Sequence, residues 1–286
     1  MTIAKTLDLV QAARGNGYAV PAVNIVDAHS IRAVVSAAEK ANSPVILQTS
    51  VKTVKMLGAE VLAAAYRYSA AKSSAPVSLH LDHCPDRAVI TEVIKHGWDS
   101  VLFDASDRDL DTAWAETREV VAEAHAAGVA VESEIENIIG VEDGVGSDVA
   151  VHSYSVDKLI EVAVDTGTDM IAPQLGTAHG QYKSTPVLRQ DRAAEFAAKT
   201  DLPVVLHGGT GLAVEDFHSF IDAGIAKINI STALKYAYMQ GSLAHLKECE
   251  ANDKWDPVKL FNAIEANVAT VIGENFEIFR SAGKGA

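Results

Sequence analysis

The stretch Ser78-Leu79-His80-Leu81-Asp82-His83-Cys84 ends an apolar run in an acid, an imidazole and a thiol, and Pro85 closes it. Two later stretches have matching form. Gly176-Thr177-Ala178-His179-Gly180 and Leu206-His207-Gly208-Gly209-Thr210-Gly211 each follow an apolar run that breaks at glycine, with one histidine at the break. Imidazole suits a divalent metal such as zinc, and three protein ligands leave a fourth position for water or substrate. His83, His179 and His207 are therefore the expected ligands of one catalytic metal, with Asp82 moving protons beside it. The competing role for any single histidine is a hydrogen-bonded rim residue; His29, His80, His96, His125, His152, His218 and His245 stay under that reading. For Asp82 the competing role is a helix N-cap. Asp82 and His83 are neighbours and leave a regular strand in opposite directions. Both reach one site only if the strand ends or bulges there, which Cys84-Pro85 permits.

Further polar groups point to the same end of the molecule. Glu132 and Glu134 share one face of a strand, and two inward carboxylates repel unless a cation or a shared proton relieves them. The metal is the expected source of that relief; the competing reading is a solvated pair at the mouth. Gly208-Gly209-Thr210-Gly211 and Asn229-Ile230-Ser231-Thr232 each end a strand-like run and lead into a helix. Glycines let backbone N–H groups turn inward, and helix N-termini favour anions. A phosphate cradle is expected there, with Ser231 and Thr232 as added donors.

The elements that position these residues alternate strand and helix. Strands are expected over 19–24, 45–50, 77–82, 100–104, 129–134, 170–174, 203–207 and 226–230. A first amphipathic helix near 4–14 precedes them. Later helices follow Ile31, Val34, Val35 and Ala38 (stopped by Asn42 and Pro44), then run over 57–72, through Val89 to Ile94, and from Leu110 to Gly128. Ser155 reads as the N-cap of the next helix, and Gly167 stops it. The rest lie near 189–199, 213–223, 232–248 and 257–280. The polar, Gly-bearing stretch 136–152 is too long for a plain connector and reads as a mobile functional loop. Eight strand–helix units without a break predict an α/β fold: one (β/α)8 TIM barrel over residues 1–286, with an extra N-terminal helix and a C-terminal helical extension. An open doubly wound sheet is the alternative, weakened because no Gly-x-Gly-x-x-Gly follows the first strand. In a barrel the chemistry sits at the C-terminal strand ends. Asn24, Ser50, Asp82, His83, Asp104, Glu134, His179, His207 and Asn229 all fall at such ends.

Composition agrees. A length of 286 residues suits one barrel, and 48% hydrophobic with 22% charged residues is ordinary for a globular protein. A formal net charge of −14 argues against nucleic acid as a partner. No apolar run is long enough to span a membrane, and the N-terminus lacks a signal-peptide pattern. The two cysteines, Cys84 and Cys249, sit far apart in no metal or disulfide pattern, so a cytoplasmic location is expected.

Several motifs together resemble one family. They are Pro21-Ala22-Val23-Asn24, Asn42-Ser43-Pro44-Val45-Ile46-Leu47-Gln48, His80-Leu81-Asp82-His83, Glu142-Asp143-Gly144, Gly176 to Lys183, Leu206 to Gly211 and Lys227-Ile228-Asn229-Ile230. Over nearly its whole length the chain resembles the class II, metal-dependent ketose-bisphosphate aldolases, the group of fructose- and tagatose-bisphosphate aldolases. The resemblance implies zinc on His83, His179 and His207, with Asp104 and Glu134 helping to hold or receive it. It implies Asp82 as proton donor and acceptor at the C4 oxygen of a phosphorylated ketose, and Glu142 as a second acid–base group on the mobile loop. It implies Asn24 and Ser50 as substrate contacts. The dihydroxyacetone-phosphate half would lie at Gly180, Gly208, Gly209, Thr210, Asn229, Ile230, Ser231 and Thr232, with a monovalent cation (Na+ or K+) near these loops. A homodimer or homotetramer is expected.

The sequence also departs from the family. Its Glu-Leu-Gly-x-x-Gly-Gly pattern is replaced by Glu134-Ile135-Glu136-Asn137-Ile138-Ile139-Gly140, which predicts a stiffer loop. Ala178 stands where serine is usual. Ser231 stands where many fructose-type members carry aspartate, which leans toward the tagatose-type branch or an unassigned one. No arginine is assigned to a second phosphate. Two rival readings use the same barrel: a Schiff-base aldolase, for which Lys227 is the one strand lysine, and a non-catalytic sugar-phosphate binder.

Overall fold

The computed structural model describes residues 3–142, 145–147, 151–180 and 185–285, without the side chains of 141, 142 and 145–147. Eight strands close into a parallel barrel: β1 (Val20–Asn24), β2 (Val45–Ser50), β3 (Val77–Cys84), β4 (Ser100–Asp104), β5 (Ala130–Glu134), β8 (Met170–Ile171), β9 (Val204–Leu206) and β10 (Ile225–Ile230). The short strands β6 (Gly140–Glu142) and β7 (Val145–Ser147) form a separate antiparallel pair. The outer helices are α2 (Ala28–Ala41), α3 (Val51–Leu57), α4 (Ala59–Ala70), α5 (Arg87–Lys95), α6 (Leu110–Ala126), α7 (Val156–Thr166), α8 (Gln190–Lys199), α9 (Val214–Asp222), α10 (Thr232–Asn252) and α11 (Pro257–Ile278), after an initial α1 (Thr6–Ala13). The barrel, its N-terminal helix and its C-terminal helices match the sequence expectation.

Local chemistry explains most boundaries. Asp27 caps α2 with a reciprocal Ser30 bond, Asn42 ends it in the left-handed region, and Ser155 caps α7. Several features differ from the sequence reading. The helix expected over 57–72 is α4, and a further helix not expected from the sequence, α3, precedes it across Gly58, capped by Ser50. The sixth barrel strand is only Met170–Ile171, because Pro173 lacks a ladder donor. The stretch 136–152 is no loose loop at its start: Glu136 and Asn137 are buried.

Two cores flank the sheet. The larger lies between strands and outer helices; the smaller fills the lower barrel. There Val20, Ala22, Ile46, Met170, Val205 and Ala226 pack with Val10, Ala13 and Leu9 of α1, which stoppers the N-terminal mouth. The Thr6 hydroxyl donates to Ser78 Oγ at 3.0 Å across this seam. Going up β1 and β2, alternate residues change from apolar to polar, as in Ala22 then Asn24, or Ile46 then Gln48. Apolar filler therefore supports a polar upper layer.

Near the lower rim, buried Asp99 ties β3 to β4. Its Oδ2 accepts from the Leu79 N–H at 2.9 Å and lies 2.9 Å from the Tyr66 hydroxyl. Burial pushes this carboxyl above its ordinary range. Removing the acceptor leaves a buried N–H unsatisfied, at about 1–3 kcal/mol. Asp99→Ala is expected to lower the thermal unfolding midpoint by roughly 3–10 °C. Calorimetry would check this; an unchanged midpoint would show that the bond stabilises nothing.

Candidate metal centre

The first requirement is that Asp82 and His83, adjacent in sequence, reach one site. A bulge achieves it. The β3–β4 register shifts between Leu81 and Cys84, and His83 takes φ 44°, a left-handed conformation unusual outside glycine. The strand ends at Cys84 rather than at Asp82, as the sequence suggested. Asp82 is not an N-cap; Asp86 caps α5 by accepting from the Ala88 N–H.

Three histidines converge. The His83 ring centroid lies 4.7 Å from that of His207 and 4.9 Å from that of His179, and the latter two are 6.1 Å apart. One nitrogen from each falls within 4.8 Å of the others. His83 Nδ1 lies 3.1 Å from Asp104 Oδ2, and His207 Nε2 lies 2.9 Å from Glu132 Oε1. Each carboxylate accepts the ring N–H facing it, so the opposite nitrogens, His83 Nε2 and His207 Nδ1, carry lone pairs. Those two atoms face each other at 2.9 Å. Facing lone pairs repel unless a proton or a cation lies between them. Glu134 Oε2, 3.7 Å from His83 Nδ1 and 3.6 Å from His207 Nδ1, is buried without a hydrogen-bond donor. The donor set thus fits a divalent cation, with Glu134 close enough to join it.

Electrostatics agree. Burial alone would lower the His83 imidazole, but Asp82, Glu134 and Asp104 outweigh it and hold the ring well above its ordinary range. Burial and then the His83 charge push His207 well below. Burial and the neighbouring Asp104 hold Glu134 well above its usual value, while the bonds from His83 and Ser106 keep Asp104 below its own despite burial.

Asp82 is clamped. Its Oδ2 accepts from Asn24 Nδ2 at 2.7 Å and its Oδ1 from Asn229 Nδ2 at 3.2 Å, while Gln48 Nε2 donates to Asn24 Oδ1 at 2.8 Å. Ser50 sits beside Asp82 in the β2–β3 register, yet its hydroxyl also caps α3 by accepting from the Thr53 N–H. The cradle residues lie at the same end. Gly208 approaches the Ala178 backbone so closely that a Cβ would fall 2.5 Å from its carbonyl, which brings the His207 and His179 loops together. Gly209, Thr210 and Gly180 follow these histidines in sequence. Asn229 and Ile230 end β10, and Ser231 precedes Thr232 at the start of α10. Ser231 Oγ and Asn229 Oδ1 are buried without hydrogen-bond partners, groups an incoming substrate could satisfy. The side chain of Glu142 lies outside the described residues, as do Asp143, Gly144 and residues 181–184.

The sequence reading missed the layer beneath. Glu132 is not a solvated residue at the mouth, and it has a counter-ion within the protein. It is fully buried, and Lys227 Nζ donates to its Oε2 at 2.7 Å. His80 joins this layer, with Nδ1 2.7 Å from Ser100 Oγ, and burial followed by the Lys227 charge keeps it well below its ordinary range. The signal was present in the even spacing of Glu132 and Glu134 and in a lysine inside a barrel strand. What it lacked was a partner for that lysine.

Known proteins can now be set beside this geometry. The family profile described as class II fructose-bisphosphate aldolase matches residues 4–284. The fructose-bisphosphate aldolase of Streptococcus pneumoniae is 33% identical over 303 aligned residues, covering 99% of this chain and 100% of that protein. That of Streptococcus pyogenes is 32% identical over 296 residues. Among solved structures, the YdjI aldolase of Escherichia coli superposes with a TM-score of 0.85 at 28% identity, covering 99% of this chain and 100% of the other. The fructose-bisphosphate aldolase of Campylobacter jejuni gives 0.82 at 25% identity, covering 97% and 94%. The rival Schiff-base and binder readings give way, and Lys227 serves as the counter-ion of Glu132. The chain belongs to the class II, metal-dependent fructose-bisphosphate aldolase family and is a carbon–carbon lyase of that class.

Proposed function

We propose that this chain reversibly cleaves a phosphorylated ketose, resembling fructose or tagatose 1,6-bisphosphate, to dihydroxyacetone phosphate and an aldehyde. The observation that carries this reading is one cluster: three imidazole nitrogens within 4.8 Å, with a clamped carboxylate on the residue next to one of them. His83, His179 and His207 would hold zinc; Asp104 and Glu134, whose oxygens lie within 4.8 Å of each other and of a His83 nitrogen, would help to hold or receive it, and Asp104 and Glu132 orient the rings. When bound, the ion supplies Lewis acidity to the ketone half of the substrate as the C3–C4 bond breaks.

The chain's own residues do the rest. Asp82 takes the C4 hydroxyl proton in cleavage and returns it in condensation; Asn24 and Asn229 hold its carboxylate in one orientation. Asn24 and Ser50 contact the sugar. Gly180, Gly208, Gly209 and Thr210, with Asn229, Ile230, Ser231 and Thr232, fix the phosphate of the three-carbon unit through backbone N–H groups and the N-terminus of α10. A monovalent cation near these loops fits an anionic ligand in so acidic a chain. Glu142 delivers a proton to C3. Ser231 in place of aspartate leans the substrate toward the tagatose-type branch or an unassigned one. A homodimer or homotetramer in the cytoplasm completes the reading; no helix among the described residues is long and apolar enough to cross a membrane.

A panel of ketose mono- and bisphosphates, assayed for release of dihydroxyacetone phosphate, tests the function, and no release from any of them would refute it. Asp82→Ala is expected to keep its metal while kcat falls about 10²–10⁴-fold; retained turnover would remove Asp82 from the chemistry. His207→Ala is expected to lose bound zinc, and elemental analysis showing full occupancy would contradict its role. Glu142→Ala is expected to slow proton exchange at C3 of dihydroxyacetone phosphate more than it weakens binding. If binding alone suffers, Glu142 is a clamp and not an acid–base group.

A further inference from the structure

Two of the three histidines have strand support and one does not. His83 lies within β3, and His207 directly follows β9 at Leu206. His179 comes eight residues after β8 ends at Ile171 (179 − 171). Something other than the barrel ladder must hold its ring within 4.9 Å of His83.

The loop after β5 supplies that hold. Ile139 pairs with Ala178 in a parallel bridge, and the Ile139 carbonyl accepts from the His179 N–H at 2.8 Å. Gly140 lies against the same backbone; a Cβ there would fall 2.8 Å from the His179 carbonyl oxygen. This loop is itself pinned by a buried ion pair. Glu136 is fully buried, and Arg192 of α8 donates to its Oε1 at 2.9 Å. Glu136 Oε1 also accepts from the Tyr154 N–H at 2.6 Å, and Oε2 from the Gln174 N–H at 3.1 Å. Arg192 in turn donates to the carbonyls of Gln174 at 2.8 Å and Tyr154 at 2.9 Å. The pair thus fastens the β5 loop to Gln174, the start of the segment that carries His179. Both charges are compensated by each other and by backbone dipoles, which is what a buried ion pair requires.

We infer that Glu136 and Arg192 are positioning residues for His179: their pair makes the loops after β5 and β8 one bracket that presents the imidazole to His83 and His207. The inference rests on His179 being a metal ligand, as proposed above. A purely structural pair would lower stability and leave zinc affinity alone. A bracket couples to zinc affinity, because residues that orient a ligand typically change it about 10–100-fold when lost.

The test is zinc affinity of the full chain, measured by competition with a chromophoric chelator, beside the unfolding midpoint. Glu136→Gln and Arg192→Met are expected to weaken zinc binding at least tenfold. Arg192→Lys, which keeps the charge but loses the fork, is expected to recover part of that loss. Asp99→Asn, at the far rim, serves as control and should leave zinc affinity within twofold whatever it does to stability. Zinc affinity within twofold of the parent in both Glu136→Gln and Arg192→Met overturns the inference. If Arg192→Met does not fold, Gly140→Ala presses on the His179 backbone with both charges intact; unchanged affinity there also overturns it. His179→Ala separates the two readings. If that variant binds zinc as the parent does, the metal-site assignment has failed, and not the bracket alone.

Discussion

The upper half of this barrel depends on two lone pairs that point at each other. Asp104 takes the outer N–H of His83 and Glu132 takes the outer N–H of His207, so the inner nitrogens confront one another at 2.9 Å. Neither carboxylate needs to touch the ion to decide where it goes. Each selects a tautomer, and the tautomers select the charge that can lie between the rings.

The same constraint explains why so much charge is buried below. Glu132 could not orient His207 at zero exposure without a counter-ion, and Lys227 provides one from the next layer. A lysine here is not a nucleophile waiting for a carbonyl. It is the hydrogen-bonded partner that a carboxylate buried this deeply requires, 2.7 Å from Glu132 Oε2. Under this layer the barrel is largely apolar and closed by α1, so the polar stack rests on packed side chains.

Much of this was legible in the chain because barrel strands repeat every second residue. That period placed Asn24, Asp82, Asp104, Glu134 and Asn229 at one mouth, and glycine breaks after His179 and His207 marked the same level. What escaped were features that break the period or need a distant partner. The left-handed turn at His83 was permitted by the neighbouring Cys84-Pro85 but not dictated by it. Lys227 and Glu132 are separated by 95 residues, and Arg192 and Glu136 by 56, so neither pairing leaves a local trace. The stretch beginning at Glu136 looked loose because polar residues usually mean solvent. Here they mean a buried partner, which composition alone does not distinguish.

The stoppered lower mouth has a consequence for traffic. A tube sealed at one end is a cul-de-sac, so everything the reaction consumes or expels uses a single doorway. If the phosphate-bearing half of the sugar is seated as proposed, against the loops after β9 and β10, whichever fragment sits nearer the doorway has to depart first and, in the reverse direction, arrive last. The order of events in a two-substrate condensation would then be set by α1, a helix that touches no reacting atom.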